Sequence, residues 1–535
     1  MIGAMQDFEL RVSTLIDHAE RQSGEREIVS RYADGSLVRG SWSQVARDAR
    51  RLANALARLG IGTGDRVATF AMNHGRHVVA WYGVMGVGAV MHTINPRLFD
   101  DQLAYIANHA QDRVLIYDAA FAPLVERLKP QWPTIEHYIC FDAEGEGSFD
   151  ALIAQESDHF VWAEGSERDP CMLCYTSGTT GNPKGVLYSH RAIVLHAMTA
   201  VTPACLAIAT DSVVLPIVPM FHVCAWGIPF ATAISGSKLV LSASNDAAIL
   251  CDLMHQEGVT HSAGVPTVWL AMIAHVDAGA PPPPLEHVVI GGSAASRAMM
   301  SHLMDMGMKV SHLWGMTELT PIGSVTKRDP GFDTLPREAQ LDLLSKQGAT
   351  PYGVEMRIAD EEGNTLPRDG VTSGRLQVRG PWVIDRYFGD ERARAADANG
   401  WFDTGDVAII YPDGIMQITD RAKDVIKSGG EWISSVDLEN EAIGCAGVAE
   451  AAAIGLPHPK WDERPVLVVV RKEGANVSES DIRAHLSSRI AKWWMPDRIF
   501  FVDHLPHTAT GKLSKLTLRE QFRDVRLDEP AGASA

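Results

Sequence analysis

Residues 175–186 read YTSGTTGNPKGV. Thr176, Ser177, Thr179, Thr180 and Lys184 stand there around Gly178, Gly181 and Gly185. Glycines let backbone approach a ligand closely, and successive N–H groups with short hydroxyls form an anion cradle. Lys184 adds a mobile positive charge suited to phosphate. A flexible surface linker is the plain alternative, but linkers seldom carry a hydroxyl ladder ending in lysine. The Walker pattern is excluded, because it needs Gly-Lys-Ser/Thr, whereas Lys184 follows Pro183 and precedes Gly185. The loop reads as phosphate-binding and not of Walker type.

The chain around it has 535 residues, which exceeds the size of a single core and predicts at least two domains. Its 46% apolar and 21% charged residues are those of an ordinary globular protein. A net charge of −18 argues against nucleic acid and anionic membrane surfaces as partners. An anionic substrate must then be held by local cations or a metal ion. Seven cysteines are an odd number and describe no disulfide framework. Cys171 and Cys174 lack the further ligands of a zinc site and read as small core residues on a buried strand. The start, MIGAMQDFELR, carries acidic residues and no long apolar core, so no signal peptide is visible. Pro216, Pro219, His222, Pro229 and Lys238 interrupt the apolar stretch 213–241, which disfavours a membrane span. A cytoplasmic protein without membrane insertion is the expectation.

Helix-like and strand-like segments alternate along the first two-thirds. Residues 47–59 read as an amphipathic helix, 66–70 as a strand, 77–85 as helical, and 90–93, 114–117 and 138–141 as strands. The run Pro281–Pro284 reads as a stiff connector before a buried strand at 288–290. Near residue 420 the texture changes to a charged segment, followed by strands at 448–454 and 466–470, a helix at 479–491 and a strand at 499–502. The predicted architecture is α/β: a large multi-layer N-terminal domain over 1–420, a hinge at 421–424, and a small α+β domain over 425–535.

Four more segments carry chemistry. Trp314-Gly315-Met316-Thr317-Glu318 joins an aromatic face to a carboxylate able to hold Mg²⁺, although a helix start capped by Thr317 explains it equally well. Trp401-Phe402-Asp403-Thr404-Gly405-Asp406 sets two carboxylates about a turn, where turn capping competes with ribose binding. Arg421 through Trp432 mixes cations with Gly429-Gly430, where a solvated charged turn competes with close approach to a ligand. Thr508-Ala509-Thr510-Gly511-Lys512 puts a lysine on a glycine-led turn.

In this order, and over nearly the whole chain, the segments resemble the adenylate-forming acyl-CoA synthetases, a superfamily shared with luciferases and peptide-synthetase adenylation domains. Residues 218–227, VPMFHVCAWG, and the GGEWIS stretch look most like the branch of medium- and long-chain fatty acyl-CoA ligases, which includes ligases for methylthiopropionate-like acids. The resemblance implies two steps: a carboxylate attacks the α-phosphate of MgATP, and the thiol of coenzyme A then displaces AMP. It implies that Thr176 to Lys184 hold the β- and γ-phosphates, with Thr176 and Glu318 at Mg²⁺. Trp314 then covers the adenine, with Gly291, Gly292, Ser293, Gly315 and Met316 about it. Thr317 contacts the α-phosphate, and Asp406 and Arg421 take the ribose hydroxyls. Lys512 bridges carboxylate and α-phosphate in the first step. Rotation about Lys423 then brings Lys427, Gly430 and Trp432 to the site for the second. His222, Trp226, Gly227, Val265 and Pro266 are implied around the acid. His507 stands where many relatives carry Arg. Relatives are often dimers, so a homodimer is expected. The alternatives are a ligase for a short methylthio- or aryl-substituted alkanoate, an adenylating enzyme that loads a carrier protein, and a non-catalytic nucleotide-binding regulator.

Overall fold

The computed structural model describes residues 4–145, 147–176, 182–390, 392–428, 431–507 and 513–527, with Glu431 and Trp432 described for backbone only. Among these residues, two large sheets dominate the N-terminal domain. One has six strands in the order His137–Cys140, Val114–Tyr117, Arg66–Phe70, Val90–Thr93, Pro170–Tyr175 and Gly185–Ser189. Its strands are parallel except for the last pair, which is antiparallel and flanks the phosphate loop. The other has eight strands, whose central run includes Val213–Pro216, His261–Gly264, His287–Gly291 and Lys309–Gly315, all parallel. It ends on Ile322–Val325, antiparallel to its neighbour.

Helices fill the space between the sheets. Trp42–Arg58 starts where Ser41 Oγ accepts the Gln44 N–H, five residues before the apolar periodicity at 47 suggested. Gly75–Gly86 is capped by His74 and is buried along nearly its whole length. Trp42, Trp81, Tyr82 and Phe230 are fully buried, and the Trp81 and Phe230 rings stack at 5.3 Å. Burial of each large apolar side chain contributes about 1.5–3 kcal/mol to holding this layer together. Cys171 and Cys174 lie buried on Pro170–Tyr175, as expected of small core residues.

A four-stranded antiparallel sheet, Glu355–Ala359, Ser373–Arg379, Phe402–Ile410 and Met416–Arg421, completes this part. The chain then crosses residues 422–425 into a smaller five-stranded sheet built from Ile426–Ser428, Glu431–Ile433, Val448–His458, Asp462–Arg471 and Arg498–Phe501. The strand predicted to end at 454 runs on to His458, because Pro457 pairs with Glu463 in a hairpin instead of ending the strand. The helix predicted to reach 491 stops at Ser487, and a short turn at Lys492–Trp494 follows. The strand predicted at 138–141 is His137–Cys140. No helix among the described residues is long and apolar enough to cross a membrane. The large α/β domain with a smaller C-terminal domain is the predicted architecture.

Candidate active site

The phosphate loop springs from a tight neck, where Thr176 N–H donates to Lys184 O at 2.9 Å. Ser177, Gly178, Thr179 and Thr180 lie outside the described residues. Lys184 Nζ sits 4.8 Å from the centre of the Tyr387 ring, and Tyr387 Oη donates to Glu318 Oε1 at 2.9 Å. A chain of contacts therefore joins the loop's lysine to the carboxylate of WGMTE across 134 positions of sequence. Segment 384–388 is docked at both ends: Ile384 N–H on Glu318 O and Phe388 N–H on Gly185 O. Burial pushes the Glu318 carboxyl above the usual carboxylate range, while Tyr387, Arg421 and Lys184 pull it back. A buried carboxylate fits a hard cation, and Mg²⁺ is typically held by one or two carboxylates plus phosphate oxygens. Among the described residues no cluster of three His, Cys, Asp or Glu side chains stands ready for a metal, and a Mg²⁺ here would draw its other ligands from water, hydroxyl and phosphate oxygens.

Tyr387→Phe removes one donor from Glu318. The carboxyl pKa then rises further, so the acid limb of pyrophosphate release moves to higher pH. Loss of a hydrogen bond to a charged group is worth about 1.5–3 kcal/mol, or on the order of tenfold or more in ATP affinity. An unmoved acid limb would detach Tyr387 from Glu318.

Trp314 and Asp406 meet although 92 residues separate them: the indole Nε1–H donates to Asp406 Oδ2 at 3.1 Å. Asp406 also faces Arg421 Nε at 3.4 Å, directly across the strands Phe402–Ile410 and Met416–Arg421. The two carboxylates of WFDTGD divide the readings between them. Asp403 caps the turn by accepting the Gly405 N–H at 2.9 Å, whereas Asp406 joins Trp314 and Arg421. Thr317 begins the short turn Thr317–Leu319 without capping it, and its carbonyl accepts from Tyr188 Oη at 2.7 Å. Gly315 can be nothing larger, since a Cβ there would lie 2.1 Å from Pro321 O. Met316 N–H donates to that same carbonyl.

Beside this set, the residues expected around the acid form a second cluster. Val223, Cys224, Ala225, Trp226 and Gly227 run consecutively through the left-handed region, with φ of 47°, 54°, 47°, 55° and 74°. The turn carries Trp226 to Gly291, where a Cβ would stand 2.8 Å from the indole. Gly292, itself at φ 86°, lies against Val265, and Pro266 opens the helix Pro266–Asp277. Ser293 is exposed just beyond. Gly227 rests on His196, whose Nε2 accepts the Ile322 N–H, and burial pushes the His196 pKa down to about 3. His222 begins the turn on the side of a small cavity that it shares with Tyr175, Phe221 and His92.

The remaining expected residues belong to the smaller domain. Lys427 is exposed, its backbone N–H donates to Glu463, and it pairs across strands with Trp432. Lys427 has no contact with the Trp314–Glu318 set among the described residues, and the Trp432 side chain lies outside them. Gly430 and Lys512 lie outside the described residues. Lys423 occupies a turn in which Asp424 and Val425 N–H both donate to Arg421 O, and its own carbonyl accepts from Arg519. His507 contacts Glu450 at 3.2 Å. Sequence reasoning missed Tyr387, Tyr188 and His196. None of them lies in a motif, and only tertiary packing brings them in.

Residues 16–388 match the AMP-binding enzyme family, and residues 437–512 match the AMP-binding enzyme C-terminal domain. The chain is 48% identical to a 3-methylmercaptopropionyl-CoA ligase of Ruegeria pomeroyi, over 98% of this chain and 99% of that protein. It is 42% identical to a medium-chain-fatty-acid–CoA ligase of Ectopseudomonas oleovorans, over 98% of each. It superposes on the crystal structure of an anthranilate CoA ligase in complex with anthranoyl-AMP with a TM-score of 0.86 and 25% identity, over 97% of this chain and 99% of that one. With the loop neck, the Lys184–Tyr387–Glu318 chain and the Trp314–Asp406–Arg421 cluster on one domain, and a matching smaller domain behind them, the chain belongs to the AMP-binding enzymes.

Proposed function

We propose that this chain is an ATP-dependent acyl-CoA ligase that converts an alkanoate to its acyl-adenylate and then to its coenzyme A thioester, releasing pyrophosphate and AMP. The convergence of Trp314, Asp406 and Arg421 beside the Glu318–Tyr387–Lys184 chain carries the reading. An aromatic face, a ribose-binding carboxylate and a phosphate-binding lysine are what ATP needs along its length. Asp406 and Arg421 orient the ribose, Lys184 neutralises the outer phosphates, and Thr176 and Glu318 hold Mg²⁺. When bound, that ion draws charge from the phosphate oxygens. Lys512 meets the negative charge that builds between carboxylate and α-phosphate. Catalysis is then mostly positioning and charge stabilisation. Products followed by mass spectrometry test the reading. Acid-dependent pyrophosphate and an acyl-CoA are expected. A halt at the adenylate in the presence of free coenzyme A would indicate a carrier-loading enzyme, and no acid-dependent pyrophosphate would indicate a regulator.

Two acids are in view, a medium-chain fatty acid and a short methylthio-substituted alkanoate. The Trp226 indole lies so close to Gly291 that a Cβ there would stand 2.8 Å from it, and an indole at the end of the acid's space would favour the shorter acid. Trp226→Ala opens that space. It should move the ranking of acids toward longer chains by about 1–3 kcal/mol in kcat/KM, while the KM for ATP stays near its starting value. An unchanged ranking across a panel from propionate to palmitate, in a folded variant, removes Trp226 from the pocket.

A further inference from the structure

Across the turn 422–425 the small domain is tied back to the large one by a buried carboxylate. Asp420, on the strand Met416–Arg421, is 1% exposed. Its Oδ2 accepts the Ser435 N–H at 2.6 Å, and its Oδ1 accepts from Ser435 Oγ at 2.9 Å and from the Arg421 N–H at 2.7 Å. Ser435 opens the helix Ser435–Ile443 beyond the turn. One residue back, Ser434 Oγ donates to Thr419 O. Ser435 Oγ in turn accepts from Lys515 Nζ, whose other partner is Glu439 Oε1 at 2.8 Å. Burial raises the carboxyls of Asp420 and Glu439, and Lys515 opposes the rise at both.

A carboxylate taken out of water persists only where a cation and hydrogen-bond donors meet it. Those that meet Asp420 come mostly from the other domain: Lys515 supplies the charge, and Ser435 supplies two of the hydrogen bonds. Parting the domains here would strand a buried charge on the large one. A single contact would let the small domain pivot about it. Two neighbouring anchors, Thr419 with Ser434 and Asp420 with Ser435, fix a line instead of a point, so rotation about any other axis breaks at least one of them. Lys515 stands three residues after Lys512, so the Ser435 that holds Asp420 also holds the segment that carries that lysine.

We propose that Asp420 is a positioning residue for the adenylation step: acting through Ser435 and Lys515, it holds the small domain, and with it the segment that carries Lys512, in the orientation described here. The inference rests on the acyl-CoA ligase reading, under which Lys427 reaches the nucleotide only for the second step. In this orientation Lys427 has no contact with the Trp314–Glu318 set among the described residues, so the clasp belongs to the arrangement that precedes that step. Asp420 acts on a population and not on the reacting atoms. A contact present in one of two orientations biases the balance between them by its own strength, and its loss lets the domain leave that orientation more often.

The test separates the half-reactions. Asp420→Asn keeps the shape and removes the charge. In it the kcat of acid-dependent ATP–pyrophosphate exchange should fall by about 10- to 100-fold with little change in the KM for ATP, while thioester formation from preformed acyl-adenylate and coenzyme A holds its rate or gains. Ser435→Ala removes the link between Asp420 and Lys515 but leaves the backbone N–H. It should show the same split in weaker form, and it answers alone should Asp420→Asn fail to fold. Spin labels introduced as unnatural residues at the exposed positions Tyr352 and Glu473, one on each domain, read the orientation without turnover. The wild-type protein should show mainly one distance, and the variants an enlarged second population. Equal losses in both half-reactions, wild-type exchange in a folded variant, or label distances that the variants leave unchanged would overturn the proposal. Absence of acid-dependent exchange in the wild-type protein would instead count against the ligase reading, and the label distances would still decide whether the clasp holds the domain.

Discussion

Lys512→Ala is expected to lower adenylation by about 10²–10³-fold and to leave thioester formation from preformed acyl-adenylate near the wild-type rate. A cation aimed at developing charge matters only in the step where that charge develops. In the first half-reaction a carboxylate and an α-phosphate, both anionic, must approach each other. In the second, the thiol attacks a neutral acyl carbon and the phosphate leaves. The described flanks of the TATGK segment are tied to each other. His507 and Leu513 form a bridge at the neck, and Ser514 N–H donates to Pro506 O at 2.8 Å. Three residues on, Lys515 Nζ is anchored to Glu439 at 2.8 Å and to Ser435. Pyrophosphate release and acyl-CoA formation, timed separately, decide the matter. Equal loss in both steps would make Lys512 a structural residue.

Lys423→Pro should yield an enzyme that makes acyl-adenylate and fails to pass it to coenzyme A. Residues 422–425 alone join the four-stranded sheet to the smaller domain. The turn is held by the Asp424 and Val425 N–H groups on Arg421 O, and by Arg519 on Lys423 O. Proline at 423 fixes φ near −65° and bars the preceding residue from helical backbone, so the turn loses the freedom that a domain rotation needs. Contacts already span the turn: Asp420 accepts from Ser435 N–H at 2.6 Å and from Ser435 Oγ at 2.9 Å, and Thr419 O accepts from Ser434 Oγ. A rotating domain must release or carry that clasp. A single-turnover experiment that follows both products reads the outcome, and wild-type rates for both steps would place the hinge elsewhere or dispense with rotation.

The parts legible in the sequence are those whose chemistry is local. The phosphate loop announced itself because glycines, hydroxyls and a lysine lie within twelve consecutive positions. The strands at 66–70, 90–93 and 114–117 were read residue for residue, since short apolar runs between breakers leave little choice of boundary. Helix starts were less legible. Ser41 caps its helix before the apolar rhythm sets in, so periodicity alone enters late. The partnerships within the site were invisible for a different reason. Trp314 with Asp406, and Tyr387 with Glu318, join segments whose local patterns are satisfied without each other. Family resemblance assigned Trp314 and Asp406 to one nucleotide, but nothing in either motif says that the indole N–H of one holds the carboxylate of the other.

The left-handed turn at 223–227 bears on how this protein can change over generations. L-residues in that conformation cost roughly 1–2 kcal/mol each, and Val223, Cys224, Ala225 and Trp226 adopt it in succession before any glycine relieves it. Selection for a sturdier fold alone would replace them with glycine or asparagine, which tolerate such backbone. The stiffness that sets the indole against Gly291 would go with them. On the proposed reading of Trp226, replacing these residues would therefore trade discrimination among acids for a more durable fold.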